Sequence, residues 1–108
     1  MKLGLALGGG GGRGAALIGV LSELDRLGVQ PDLVVGTSIG GMVGALYAAG
    51  IDNAGLENFF RQLHVDNLFA WSKDSWSLVS NKKIEALLEK TIGRLAFSDL
   101  KIPLAVTA

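Results

Sequence analysis

The stretch that decides the fold runs Asp32-Leu33-Val34-Val35-Gly36-Thr37-Ser38-Ile39-Gly40-Gly41-Met42-Val43-Gly44-Ala45-Leu46-Tyr47-Ala48-Ala49-Gly50-Ile51-Asp52. Between Leu33 and Ile51 it holds no charge, and its Gly36-x-x-x-Gly40 and Gly40-x-x-x-Gly44 spacings superficially suit a membrane helix. Three features oppose that: Asp32 and Asp52 border it, it has no basic flank, and Gly36-Thr37-Ser38 interrupts it behind a β-branched run. It therefore predicts a short buried strand over Leu33 to Gly36, a tight turn, and a buried helix. Ile39, Met42, Val43, Leu46 and Tyr47 keep helical spacing in that helix, and Gly50 stands where a helix stop belongs.

Upstream, Lys2 to Leu7 is a short apolar run that ends in Gly8 to Gly12, as a buried strand does. It is too short for the apolar region of a secretory signal. Leu17, Val20, Leu21, Leu24 and Leu27 then recur at i, i+3, i+4 and i+7, with Glu23, Asp25 and Arg26 between them, which predicts an amphipathic helix from Arg13 onward with those five residues inward and Gly28 as its stop. Strand, glycine turn, helix, strand, tight turn, helix is a βαβα order, and that argues a parallel sheet with right-handed crossovers.

Downstream the pattern changes. Fourteen of the 16 glycines precede residue 51, whereas 14 of the 20 charged residues follow it. Asn53 to Leu63 predicts a helix. Residues 64–79 show no period and are read as a loop or lid that carries Phe69, Trp71 and Trp76. These three aromatics and Phe59 and Phe60 are read as a lid or acyl-chain entrance, with core packing the blander role for at least half of them. A helix follows over Lys82 to Ile92, capped by Ser80 or Asn81 and stopped by Gly93, with Ile84, Leu87, Leu88 and Ile92 inward. Ile102-Pro103-Leu104-Ala105-Val106 reads as a third strand, with Pro103 tolerated at its start.

The 108 residues fit one domain, numbered 1–108 here, and 10 basic against 10 acidic side chains give zero formal charge. No electrostatic field is available to gather nucleic acid, so nucleic-acid partners are not expected and the substrate is expected to be neutral or recognised by shape. The chain has no cysteine, hence no disulfide framework or thiolate metal site, which suits the cytoplasm. No metal and no cofactor are expected.

Two glycine motifs carry chemistry. Gly8 to Gly12 with Arg13 and Gly14, between a strand and a helix, lets several backbone N–H groups converge near the positive end of the helix dipole, a geometry that binds a phosphate or a transient oxyanion. Gly9-x-Gly11-x-x-Gly14 has the form of a dinucleotide fingerprint, but the acid expected at the end of the second strand is replaced by Val35-Gly36-Thr37-Ser38. No Gly-Lys-Ser/Thr follows the glycines either. Gly36-Thr37-Ser38-Ile39-Gly40, set between a strand and a helix, is G-x-S-x-G in the context of a nucleophile elbow. Ser38 would stand at the carboxyl end of the sheet facing the glycine loop. Arg13 alone is read as a brace for that loop. The single histidine, His64, is placed poorly for a triad, and none of Asp25, Asp32, Asp52, Asp66, Asp74 or Asp99 sits in a glycine-flanked strand-end setting, so the base is expected beyond Ala108 or the site is incomplete.

These residues resemble the patatin-like phospholipase family, its small bacterial members included. Leu5 to Gly14 is similar to the family's oxyanion loop, Gly36 to Gly40 to its nucleophile elbow, and Ile102 to Ala108 to the strand after its variable lid region. Leu17 departs from the pattern, since many bacterial relatives carry histidine there. The resemblance implies the amino-terminal part of a three-layer α/β/α parallel-sheet domain. It implies a Ser–Asp dyad with Ser38 as nucleophile, Gly9, Gly10, Gly11 and Arg13 in the oxyanion loop, and Gly36 and Gly40 shaping the elbow. The aspartate would lie in a downstream D-G-G or D-G-A motif that these residues lack, so they alone would not turn over substrate. The implied activity is hydrolysis of lipid esters, with a lipid or acyl-ester substrate and room for transient contact with a membrane surface. The rival readings are a non-catalytic binding module on the same fold and a nucleotide-binding βαβ unit.

Overall fold

The computed structural model describes residues 2–9, 14–65 and 81–107. In chain order these form β1 (Gly4–Leu7), α1 (Gly14–Arg26), β2 (Leu33–Thr37), α2 (Ile39–Ala48), α3 (Asn53–Val65), α4 (Asn81–Ile92), a 3-10 turn (Phe97–Asp99) and β3 (Leu104–Thr107). The uncharged stretch 33–51 thus divides into a strand and a helix. Among the described residues no helix is long and apolar enough to cross a membrane.

The three strands are parallel in the order β1-β2-β3, with Leu7 opposite Gly36 and Thr37 opposite Thr107. Alternation along each strand sends Leu7, Val34 and Leu104 to the face that α2 covers. A Cβ on Gly44 would lie 3.1 Å from Val34, 3.4 Å from Leu7 and 3.5 Å from Leu104, so one missing side chain lets the helix rest on all three strands at once. Eight of the ten residues of α2 are buried, which accounts for its uncharged, apolar composition. Helices α1 and α3 pack beside it and α4 against α3, and Leu21, Leu46, Leu56, Phe59 and Leu63 fill the space between them. The opposite face of the sheet stays largely open among the described residues: Ala6, Leu33 and Ala105 are exposed. Sheet and one helical layer are therefore two of the three layers expected.

Helix ends follow the glycines. At Gly28 (φ 71°) the N–H of Gly28 bonds the carbonyl of Asp25 and that of Val29 the carbonyl of Leu24; at Gly50 (φ 94°) the N–H groups of Gly50 and Ile51 bond Tyr47 and Leu46. Both are Schellman stops, which need a residue that tolerates positive φ. The inner face of α1 differs from the expected one. Gly14, Ile18 and Leu21 are buried and Leu17 and Leu24 half-buried, whereas Val20 and Leu27 are 50% and 59% exposed. The five expected positions span too wide an arc, and only the part turned toward α2 and α3 finds partners. Phe59 is in the core and Phe60 is half-buried; the expected loop or lid does not begin at residue 64, because residues 64 and 65 continue α3, and the rest of it, with Phe69, Trp71 and Trp76, lies outside the described residues.

Candidate active site

Ser38 follows directly on β2 and precedes α2, where it has φ 55° and ψ −119°. Among the non-glycine residues described, it is the one with positive φ. A β-carbon-bearing residue held there stores on the order of 1–3 kcal/mol of strain and persists only where its surroundings over-determine it. Here they do. The Ser38 carbonyl accepts the N–H groups of Gly41 (2.9 Å) and Met42 (3.2 Å), and its own N–H donates to the Thr107 carbonyl (3.2 Å). The side chain is exposed and makes no capping hydrogen bond to α2.

The glycines two residues either side answer to space, not to φ. A Cβ on Gly36 would strike the carbonyl of Gly40 and come within 2.6 Å of the Gly41 Cα. One on Gly40 would strike the Leu7 carbonyl and lie 2.7 Å from that of Gly8. Strand β2, the start of α2 and the end of β1 thus cross at backbone distance, and the obstacles are backbone atoms that cannot swing aside. Gly9 completes the group: its Cβ position is 3.3 Å from the Ser38 Cβ and 3.3 Å from the Thr37 carbonyl. The structure therefore brings Gly9, Gly36, Ser38 and Gly40 together at the carboxyl edge of the sheet. Gly10, Gly11 and Arg13 lie outside the described residues. Gly14, just after them, faces the Phe60 ring and lies 3.2 Å, by its Cβ position, from Ile39.

The described aspartates are all elsewhere, at the edge where the strands begin. Asp32 precedes β2 and accepts the Leu3 N–H at 2.7 Å; Asp52 caps α3 by accepting the Gly55 N–H at 2.8 Å; Asp99 accepts the Ala96 N–H at 2.9 Å. Asp25, in the last turn of α1, is approached by the Tyr47 hydroxyl at 3.5 Å. Burial, with the Asp25 charge a lesser cause, raises the Tyr47 phenol above its ordinary range. The Glu23–Arg26 pair is exposed; the Arg26 hydrogen bond lowers the Glu23 carboxyl and raises Arg26 in return. Asp66, Asp74 and the His64 side chain lie outside the described residues. Among those described, no group of three or more acids or histidines is placed to hold a metal.

Two residues that the sequence places at the third strand, without a part in the site, join it. Thr107 ends β3 beside the turn, and its hydroxyl lies 2.7 Å from that of Thr37. Val106, one residue earlier, comes within 3.4 Å of the Gly41 Cβ position. The arrangement presents an exposed hydroxyl on a strained turn, with backbone from a glycine-rich segment against it, which is suited to nucleophilic attack on an acyl group.

The profile of the patatin-like phospholipases matches residues 5–107. Over 51 residues the chain is 52% identical to a lysophospholipase of Aspergillus oryzae, a match that covers 47% of this chain and 3% of the relative. It is 56% identical over 48 residues to a lysophospholipase of Mycosarcoma maydis, covering 44% of the chain and 2% of the relative. To patatin-like phospholipase domain-containing protein 6 of Mus musculus it is 64% identical over 44 residues, 41% of the chain and 3% of the relative. The matched stretches are thus a small part of much longer proteins.

Proposed function

Because the chain belongs to the patatin-like phospholipase family, with residues 5–107 matched, we propose that it supplies the nucleophile and oxyanion loop of a serine acyl hydrolase acting on lipid esters. The Ser38 hydroxyl attacks the ester carbonyl and its proton passes to a carboxylate outside the described residues, an aspartate by the family resemblance. The carbonyl oxygen, now negative, is held by N–H groups of the segment Gly9 to Arg13, with Gly9, Gly10 and Gly11 as donors and Arg13 bracing or joining them. Collapse expels the alcohol, which takes the proton, and leaves an acyl group on Ser38; water then releases the fatty acid and restores the hydroxyl. No step needs a metal or a cofactor.

The observation that carries this reading is the strained Ser38 turn with Gly9 packed against it. The acids at the other edge support it by default, since each is occupied with backbone N–H groups or with Tyr47. Two of the relatives named above are lysophospholipases by name, so a single-chain phospholipid is the first substrate to test. Such a substrate is met at a membrane surface by transient contact, and the cysteine-free chain suits a cytoplasmic setting. The test is release of fatty acid from lysophosphatidylcholine and of nitrophenol from short nitrophenyl esters by the full-length protein. Hydrolysis lost in Ser38→Ala is the expected result. A folded wild type inert to both substrates would make the domain a non-catalytic module instead.

A further inference from the structure

The geometry points to Thr37 and Thr107 as a clasp that positions the Ser38 turn, an inference that rests on the nucleophilic role proposed for Ser38. The turn needs something to hold it. Residue 38 sits at φ 55° and ψ −119°, a conformation its own chemistry disfavours, and the start of α2 secures only its carbonyl side. On the amino side the restraint comes from 70 residues away: the Thr107 carbonyl accepts the Ser38 N–H at 3.2 Å, and the Thr107 hydroxyl meets the Thr37 hydroxyl at 2.7 Å.

Those two bonds act on neighbouring units of one strand end. The backbone bond fixes the peptide plane that enters Ser38; the hydroxyl pair fixes the residue whose ψ sets that plane. Thr37 and Thr107 are Cα partners in the β2–β3 register, so their hydroxyls meet without displacement of either strand. The pair lies at the last rung of the ladder, where a strand is most prone to fray. Its loss would let the β3 end part from the turn, and Ser38 would relax toward an ordinary backbone conformation and carry its hydroxyl off line. Misplacement of an attacking atom by about 1 Å costs up to about a hundredfold in rate, so partial relaxation costs about tenfold. Thr37 and Thr107 are positioning residues here; neither is assigned contact with substrate.

The test is the second-order rate of inactivation by a fluorophosphonate, measured on full-length protein well below its unfolding temperature with the folded fraction checked by circular dichroism. Thr107→Val and Thr37→Val preserve shape and remove one hydroxyl each. Each is expected to slow labelling about tenfold and to lower kcat on a short ester at unchanged KM. Thr107→Ser, which keeps the hydroxyl, is expected to stay within about twofold of wild type. Because both valines break the same bond, the double variant is expected to be no slower than about either single one. If Thr107→Val does not fold, Thr37→Val tests the bond from the other strand. Valine variants that label at the wild-type rate, a serine variant as slow as the valine, or losses that multiply to about a hundredfold in the double variant would overturn the clasp and leave the nucleophile standing. A wild type that does not label at all removes the nucleophile, and the clasp with it.

Discussion

At the carboxyl edge of the sheet the chain turns on Gly36 and Gly40, where any Cβ would strike backbone, and at the amino edge it turns on Gly28 and Gly50, chosen for their positive φ, and on aspartates that accept backbone N–H groups. Gly36, Gly40 and Gly9 crowd around one strained serine at the first edge. Asp32, Asp52 and Asp99 each satisfy an N–H at the second, through bonds of 2.7 to 2.9 Å. Strain and close approach are thus concentrated where the hydroxyl is presented, and ordinary turn and capping chemistry holds the other end. The described aspartates are thus each engaged with a backbone N–H or with the Tyr47 hydroxyl.

The largest expected difference between the edges is steric. Gly40→Ala drives a Cβ into the Leu7 carbonyl and is expected to cost about 3 kcal/mol or more in urea unfolding. Gly19→Ala, in α1 with nothing within 4 Å of its Cβ position, is expected to stabilise by up to about 1 kcal/mol. Equal costs at the two positions would contradict the close crossing. Next comes the strain itself. Ser38→Gly removes the penalty of the positive φ and is expected to raise stability by about 1 kcal/mol while abolishing hydrolysis. A destabilised Ser38→Gly would mean that the turn stores no strain.

At the amino edge, Asp52→Ala deletes the α3 cap and is expected to cost about 1 kcal/mol with hydrolysis per folded molecule unchanged. Lost hydrolysis in that variant would move an acid into the chemistry. The smallest effect is expected at Tyr47. Its phenol is held above the ordinary value of 10.0 by burial and by Asp25, so the stability it contributes is present below that pH and is lost as pH rises through the folded-state value. Tyr47→Phe should therefore flatten the alkaline limb of the stability profile; an unchanged limb in thermal melts above pH 10.0 would refute the assignment.

Much of this was legible in the sequence because it is local. Gly28, Gly50 and Gly93 stop their helices at φ 71°, 94° and 73°, and a helix stop is chosen by the few residues around it. The strand–turn–helix at 33–48 followed in the same way from an uncharged run broken by Gly36-Thr37-Ser38. The phase of α1 was not legible, since Val20 and Leu27 are apolar enough to face inward and only the positions of α2 and α3 decide that they do not. Nor was the part of Thr107. Its pairing with Thr37 depends on the β2–β3 register across 70 residues, and a threonine near a strand end carries no signal of it.

Both the proposed hydrolysis and the threonine clasp depend on Ser38, at the strained turn, being the nucleophile. The decisive experiment treats full-length protein with a fluorophosphonate, digests it and locates the adduct by tandem mass spectrometry. A single adduct on Ser38, absent from Ser38→Ala, is expected. An adduct on another serine, or a Ser38→Ala variant that is labelled as fully as wild type, would contradict that role.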